Sequence, residues 1–337
     1  MSHDLSDAPT RSDQRISAPL DTRRSRDRGR RHLQVRARDG LRLAVCDWSP
    51  AHAEATVVFL HGWCLSELAW RSQKARLRLD HGAPLRLISI DHRGHGRSDP
   101  APLHTCRIEQ LADDLAVVLT ELNVRGPVTL VGHSMGAMVA LEDALRPQGQ
   151  RPVDPGGLVL VAAAAGKLAQ RGLGKLLNTP ATAALVTALA HTPEHLLRIT
   201  AGPVCAAVGR YCRCGRTERA TVSALATAAL ATTPLTTAIG FLPSLRDWDR
   251  TDALGDVRAR TVVVSGGNDL LTPVAHAEEL AAGIPGASHL HVPEAGHMLP
   301  QQAPEVLKEA IRAVISAPSV APLTASPPAA VLRRAHA

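Results

Sequence analysis

Ser134 stands at the centre of Gly132-His133-Ser134-Met135-Gly136, a G-x-S-x-G pentapeptide that follows the apolar run Val128-Thr129-Leu130-Val131 and opens a helical-period stretch. A strand that turns sharply into a helix strains the backbone at its central residue. It also crowds the positions two before and two after, which is why both are glycine. Such a turn exposes the Ser134 hydroxyl at the carboxyl end of the strand, near a helix N-terminus whose dipole favours a developing anion. Taken alone, the pentapeptide also fits an ordinary Gly-rich strand-to-helix turn. A serine hydroxyl is a weak nucleophile until a base takes its proton, so acyl-transfer chemistry here requires a histidine and a carboxylate to orient it.

Both occur downstream. Thr261-Val262-Val263-Val264-Ser265 reads as a strand, and Gly266-Gly267-Asn268-Asp269 after it as a Gly-rich loop carrying a carboxylate, closed by Thr272-Pro273. Leu290-His291-Val292 reads as a further short strand, and the loop behind it, Pro293-Glu294-Ala295-Gly296-His297-Met298, supplies a histidine. Asp247, Asp249, Asp252 and Asp256 compete with Asp269 for the carboxylate role, but all four precede the strand that delivers Asp269, and the spacing favours Asp269.

These residues need a scaffold that brings strand ends together. Short β-branched or Leu-rich runs at 33–37, 41–47, 56–61, 86–91, 128–133, 158–162, 261–265 and 290–292 predict strands. Several are apolar throughout, as parallel strands covered on both faces are, and helical-period stretches at 68–79, 108–122, 135–145, 274–282 and 304–315 separate them. Strands alternating with helices predict an open α/β sheet. Residues 166–250 break the alternation, being rich in Ala, Leu and Thr and punctuated by Pro180, Pro193, Pro203, Pro234 and Pro243; they predict a helical cap or lid. The expected organisation is an Arg-rich disordered arm at 1–31, core at 32–165, cap at 166–250, core again at 251–315, and a disordered Pro/Ala-rich tail at 316–337.

The chain order Ser134, Asp269, His297 is the nucleophile, acid, base order of the α/β-hydrolases, and here the sequence resembles that family over nearly all of 32–315. Two further segments carry the resemblance. Leu60-His61-Gly62-Trp63 is similar to the family's His-Gly-x segment, which implies an oxyanion hole formed by the Trp63 and Met135 backbone N–H groups. Asp91-His92-Arg93-Gly94-His95-Gly96-Arg97-Ser98 is similar to its D-x-R-G-x-G-x-S segment, implying a scaffold role; Ala137 stands where many relatives have a third Gly. The implied fold is the α/β-hydrolase fold, a mostly parallel doubly wound sheet with a helical cap. Gly-His-Ser-Met-Gly and the Gly-Asn-Asp segment also resemble the monoacylglycerol-lipase-like and carboxylesterase branch. That branch implies a Ser-His-Asp triad that cleaves hydrophobic or lipid-like esters through an acyl-enzyme.

A serine nucleophile points away from epoxide hydrolases and haloalkane dehalogenases, which generally place Asp at this turn. The chain's single tyrosine, Tyr211, is also fewer than an epoxide hydrolase cap usually supplies. An acyltransferase or a cofactor-free perhydrolase or haloperoxidase-like enzyme would use the same triad. A non-catalytic ligand-binding protein on this fold is the alternative from another class. No G-x-G-x-x-G follows a strand and no P-loop is present, which points away from oxidoreduction and phosphate chemistry, and no cofactor is implied because the oxyanion hole supplies what a metal would.

The rest of the composition bounds the partners. The 337 residues are 45% hydrophobic, 20% charged and 2% aromatic, with a formal net charge of +7 carried almost wholly by Arg. So mild an excess, with so few rings to stack on bases, argues against nucleic acid and leaves a small-molecule substrate. Six cysteines without paired C-x-x-C knuckles predict free thiols rather than disulfides or zinc, and His92 and His95 lack a third metal ligand. Neither a signal-peptide h-region nor the roughly 18 apolar residues of a membrane span is evident, so a cytoplasmic protein is expected, its basic arm capable at most of weak peripheral contact with anionic lipid.

Overall fold

Runs of Val, Leu and Ile that lack alternation can be satisfied only by burial on both faces, and that is where they lie. The computed structural model describes residues 30–80, 84–191 and 233–315. Within them eight strands form one sheet: β1 (Arg30–Arg36), β2 (Arg42–Trp48), β3 (Ala55–Leu60), β4 (Leu85–Ile90), β5 (Val128–His133), β6 (Gly157–Val161), β7 (Arg260–Gly266) and β8 (Ser288–Val292). Their order is β1-β2-β4-β3-β5-β6-β7-β8. β1 and β2 pair antiparallel at one edge, β2 also runs antiparallel to β4, and every pair from β4 to β8 is parallel.

Helices cover both faces, and the period-two alternation of the strands divides the core between them. Val58, Leu60, Leu130, Leu158 and Leu160 pack with α2 (Ile108–Glu121), α3 (Met135–Leu145) and, further along the chain, the helix Val274–Gly283. Val57, Phe59, Val131, Val159 and Val161 pack on the other face with Leu77 of α1 (Arg71–Asp80) and with the helix Pro304–Ile315. Each fully buried aliphatic side chain stabilises the fold by about 1.5–3 kcal/mol relative to exposure.

Register decides where the loops emerge. Leu60 pairs with Gly132, His133 with Val161, Val161 with Val264, and Gly266 with Val292, so β3, β5, β6, β7 and β8 end level at their carboxyl edge. The segments carrying Trp63, Ser134, Asp269 and His297 all leave from that edge.

Four sequence expectations meet differences or limits. Arg30 and Arg31, read as the end of the arm, belong to β1: Arg31 Nη2 donates to the fully buried Asp47 Oδ2 at 2.5 Å, and Arg86 donates to the same carboxylate. The single helix expected at 68–79 is a 3-10 turn (Glu67–Trp70), whose first N–H donates to Asp91 Oδ1 at 2.7 Å, followed by α1. In the interval read as a cap, two 3-10 segments (Leu168–Gln170, Gly172–Asn178) precede α4 (Pro180–His191), and α5 (Leu235–Gly240) and α6 (Leu242–Asp247) close it. The remainder of that interval, 192–232, the arm residues 1–29, the tail 316–337 and Cys205, Cys212 and Cys214 lie outside the described residues. No helix among the described residues is long and apolar enough to cross a membrane.

Candidate active site

Ser134 joins β5 to α3 with φ 52° and ψ −117°, a conformation that costs a residue bearing a Cβ. The backbone around it holds it there. Its N–H donates to the Val161 carbonyl at 2.9 Å, and its own carbonyl accepts from Ala137 and Met138 at 2.9 and 3.2 Å. The flanking glycines are required by space: a Cβ on Gly132 would lie 2.4 Å from the Gly136 carbonyl oxygen, and one on Gly136 would lie 2.1 Å from the Leu60 carbonyl oxygen.

His297, on the loop after β8, places Nε2 3.0 Å from Ser134 Oγ and Nδ1 2.9 Å from Asp269 Oδ2. The carboxylate therefore accepts a hydrogen bond from Nδ1–H, which keeps the proton on Nδ1 and leaves Nε2 free to accept from the hydroxyl. Asp269 is buried on the loop after β7, and its second oxygen is occupied: Oδ1 accepts the N–H groups of Leu271 and Thr272 at 2.8 and 2.9 Å. Thr272 also donates its hydroxyl to Oδ2 at 2.7 Å. Burial alone would raise the Asp269 pKa, but His297 and these donors outweigh it and hold the carboxyl below its ordinary range. In the sequence Thr272 stands only as a loop-closing residue, because nothing local marks it as a donor to Asp269.

Of the competing carboxylates, Asp247 is paired to Arg246 through two bonds of 2.7 and 2.8 Å, and Asp249 caps Thr251. Asp269 is the one brought to His297.

The loop after β3 lies opposite. His61 Nδ1 donates to the Gly62 carbonyl at 2.8 Å and its Nε2 accepts the His92 N–H at 3.0 Å. His95 Nε2 accepts the Cys64 N–H at 3.2 Å while its Nδ1 donates to the Arg93 carbonyl. The two rings thus pin the loop on both sides of Trp63. Burial lowers His61 to about 4 and His95 to about 3, so both work as neutral rings with fixed tautomers. Among the described residues, neither the Trp63 nor the Met135 backbone N–H donates to an acceptor within the chain. The Trp63 indole N–H reaches the Ala238 carbonyl of α5 at 2.9 Å.

The segment 91–98 is built into this support. Asp91 accepts the N–H groups of Glu67 and Arg97, and a Cβ on Gly96 would meet its carboxyl at 2.4 Å. The fully buried Arg93 grips Asp114 through two bonds of 2.7 Å and reaches Asp39 at 2.8 Å. His92 and His95 face backbone partners. Among the described residues no group of three or more His, Cys, Asp or Glu is arranged to hold a metal ion.

A model of the alpha/beta hydrolase family matches residues 57–310. Among curated proteins, the chain is 42% identical over 99 residues to the non-heme chloroperoxidase CPO-A1 of Kitasatospora aureofaciens, covering 29% of this chain and 33% of that one. It is 38% identical over 98 residues to epoxide hydrolase B of Mycobacterium tuberculosis strain H37Rv, covering 29% and 26%. The matches thus span about a third or less of the length of these relatives. A solved thermophilic esterase from Thermogutta terrifontis superimposes with a TM-score of 0.67 at 26% identity, over 85% of this chain and 98% of that one.

Proposed function

Because the chain belongs to the alpha/beta hydrolase family, we propose that it is a serine hydrolase cleaving carboxylic esters through Ser134, His297 and Asp269. The observation that carries this is the unbroken run of hydrogen bonds from Ser134 Oγ to His297 Nε2 and from His297 Nδ1 to Asp269, at 3.0 and 2.9 Å. His297 takes the Ser134 proton as the hydroxyl attacks the acyl carbon. Asp269 holds the ring's orientation and stabilises its cation, and the ring then protonates the departing alcohol. Water repeats the sequence on the acyl-enzyme. The Trp63 and Met135 N–H groups hold the tetrahedral oxyanion, each worth about 2.7–4 kcal/mol in the transition state.

An apolar acyl chain is the substrate this site suits best. Leu270 and Leu271, directly after Asp269, and Trp63 in the oxyanion loop are all large apolar side chains left substantially exposed. Exposed apolar surface on the loops that carry the chemistry is surface available to a hydrophobic substrate.

The similarity to chloroperoxidase CPO-A1 favours a second reading, in which hydrogen peroxide rather than water meets the acyl-enzyme. The likeness to epoxide hydrolase B carries less weight, since position 134 is Ser and not Asp.

The test is hydrolysis of p-nitrophenyl esters from acetate to palmitate, with labelling by a serine-directed fluorophosphonate and with Ser134→Ala alongside. Loss of turnover by about 10⁶-fold in Ser134→Ala is expected. Turnover or labelling that survives the substitution overturns the assignment. Labelling of Ser134 without hydrolysis of any ester, together with peracid formation from acetate and peroxide, selects the second reading.

A further inference from the structure

His133, the residue immediately before Ser134, is buried and has no part in the chemistry above. Its Nε2 lies 2.8 Å from the backbone carbonyl oxygen of His297, 164 residues away in sequence. A carbonyl only accepts, so Nε2 carries the proton, and in a neutral ring Nδ1 is bare. Burial, and next the neighbouring His297, push His133 down to about 3. The ring therefore stays uncharged while His297 gains and loses its proton.

The other nitrogen faces the oxyanion loop. Nδ1 has no hydrogen-bond partner among the described residues, and a Cβ on Gly62 would come within 2.8 Å of it. The imidazole also packs against the His297 ring with centroids 5.0 Å apart and meets Trp70 edge-on at 6.5 Å. One side chain thus bonds to the backbone of the base and leaves no room for a side chain at Gly62, beside Trp63, while its own residue is covalently attached to the nucleophile. On the His297 loop, the Gly296 N–H is tied to Gln302 at 2.8 Å and the Met298 carbonyl takes the N–H groups of Gln301 and Gln302 at 3.0 Å. Between those ties, the backbone carbonyl of His297 itself is held by His133.

Resting on the serine-hydrolase reading, we propose that His133 is a positioning residue. Its ring N–H clamps the His297 carbonyl and so holds the base in register with Ser134, and the same ring fills the space beside Gly62 of the oxyanion loop.

The pair His133→Met and His133→Gln tests this, because the two chains are similar in length and flexibility but only Gln offers a donor at the position of Nε2. With p-nitrophenyl acetate and a fluorophosphonate as probes, His133→Met is expected to lower kcat and the labelling rate about 10- to 100-fold. KM should stay within about threefold, since ground-state binding does not use the clamp. His133→Gln is expected to recover most of the loss at a melting temperature matching His133→Met. Equal kcat in the two variants, whether high or low, overturns the proposal. Should His133→Met not fold, His133→Asn replaces it, its amide being one bond too short to reach the carbonyl. A wild-type protein that neither hydrolyses the ester nor labels would instead sink the hydrolase reading beneath it, so the two failures are distinguishable.

Discussion

Thr272 Oγ1 donates to Asp269 Oδ2 at 2.7 Å, the same carboxylate oxygen that faces His297 Nδ1 at 2.9 Å. A buried hydrogen bond to a charged acceptor is worth about 1.5–3 kcal/mol, and here it also sets the angle at which the carboxylate meets the ring. Thr272→Val keeps the shape and removes the donor. It is expected to lower thermal stability by that amount and kcat by about tenfold, with KM little changed. Unchanged melting and kinetics would show that the Leu271 and Thr272 N–H groups suffice to hold Asp269.

The depressed pKa of Asp269 fixes a sign in the pH dependence. A carboxyl whose folded pKa lies below its unfolded value contributes stability that is present above the unfolded value and lost as pH falls through the folded one. Removing the Thr272 donor weakens that depression. The Thr272→Val deficit in melting temperature is therefore expected to be full at neutral pH and to shrink below about pH 4. A deficit independent of pH would mean that packing, not the charge, is what Thr272 supports.

Ser134 holds its left-handed backbone at a cost that glycine would not bear. Both Ser134→Ala and Ser134→Gly remove the hydroxyl, but only the second relieves the strain. Ser134→Gly is expected to be more stable than Ser134→Ala by about 1 kcal/mol or more in denaturant unfolding. Equal stability would place the strain elsewhere in the turn.

Gly136 approaches the Leu60 carbonyl too closely for any side chain, with backbone rather than a flexible chain end in the way. Gly136→Ala is expected to cost about 1–3 kcal/mol and to separate α3 from β3, displacing the Met135 N–H from its proposed place in the oxyanion hole. A variant that retains wild-type unfolding and phosphonate labelling rates would contradict this.

Asp143, on the same helix, is buried with neither carboxylate oxygen hydrogen-bonded among the described residues. Burial pushes its pKa up to about 7, against the pull of Arg146 and Arg151. A raised carboxyl pKa means that the folded state loses stability as pH climbs from the unfolded value towards 7. Asp143→Asn is expected to melt higher than wild type at pH 8 and to match it at pH 3, where both forms are neutral. A gain equal at both pH values would point to packing instead.

Much of this protein was legible in its sequence because the signals are local. The elbow glycines follow from crowding within five residues, and the strands were marked by apolar runs that only a two-faced burial satisfies. The order of Ser134, Asp269 and His297 followed from those same strands, since each residue closes one of them. Where the sequence misled, a distant group had overridden a local pattern. Arg30 and Arg31 read as solvated arm, yet a buried Asp47 recruits Arg31 into β1. The helix expected from residue 68 begins one residue earlier as a 3-10 turn, where the distant Asp91 accepts the Glu67 N–H.

Periodicity and motif therefore determined the alternating strands and helices, the turn at Ser134 and the chain order of the candidate triad, all of which depend on neighbours a few residues apart. Only the tertiary structure decided which carboxylate meets His297, what Thr272 holds, and that the histidine beside Ser134 reaches the backbone of His297. Those contacts join the ends of different parallel strands. Their geometry is set by inter-strand register and loop closure, which bring together residues whose separation along the chain carries no trace of the distance between them.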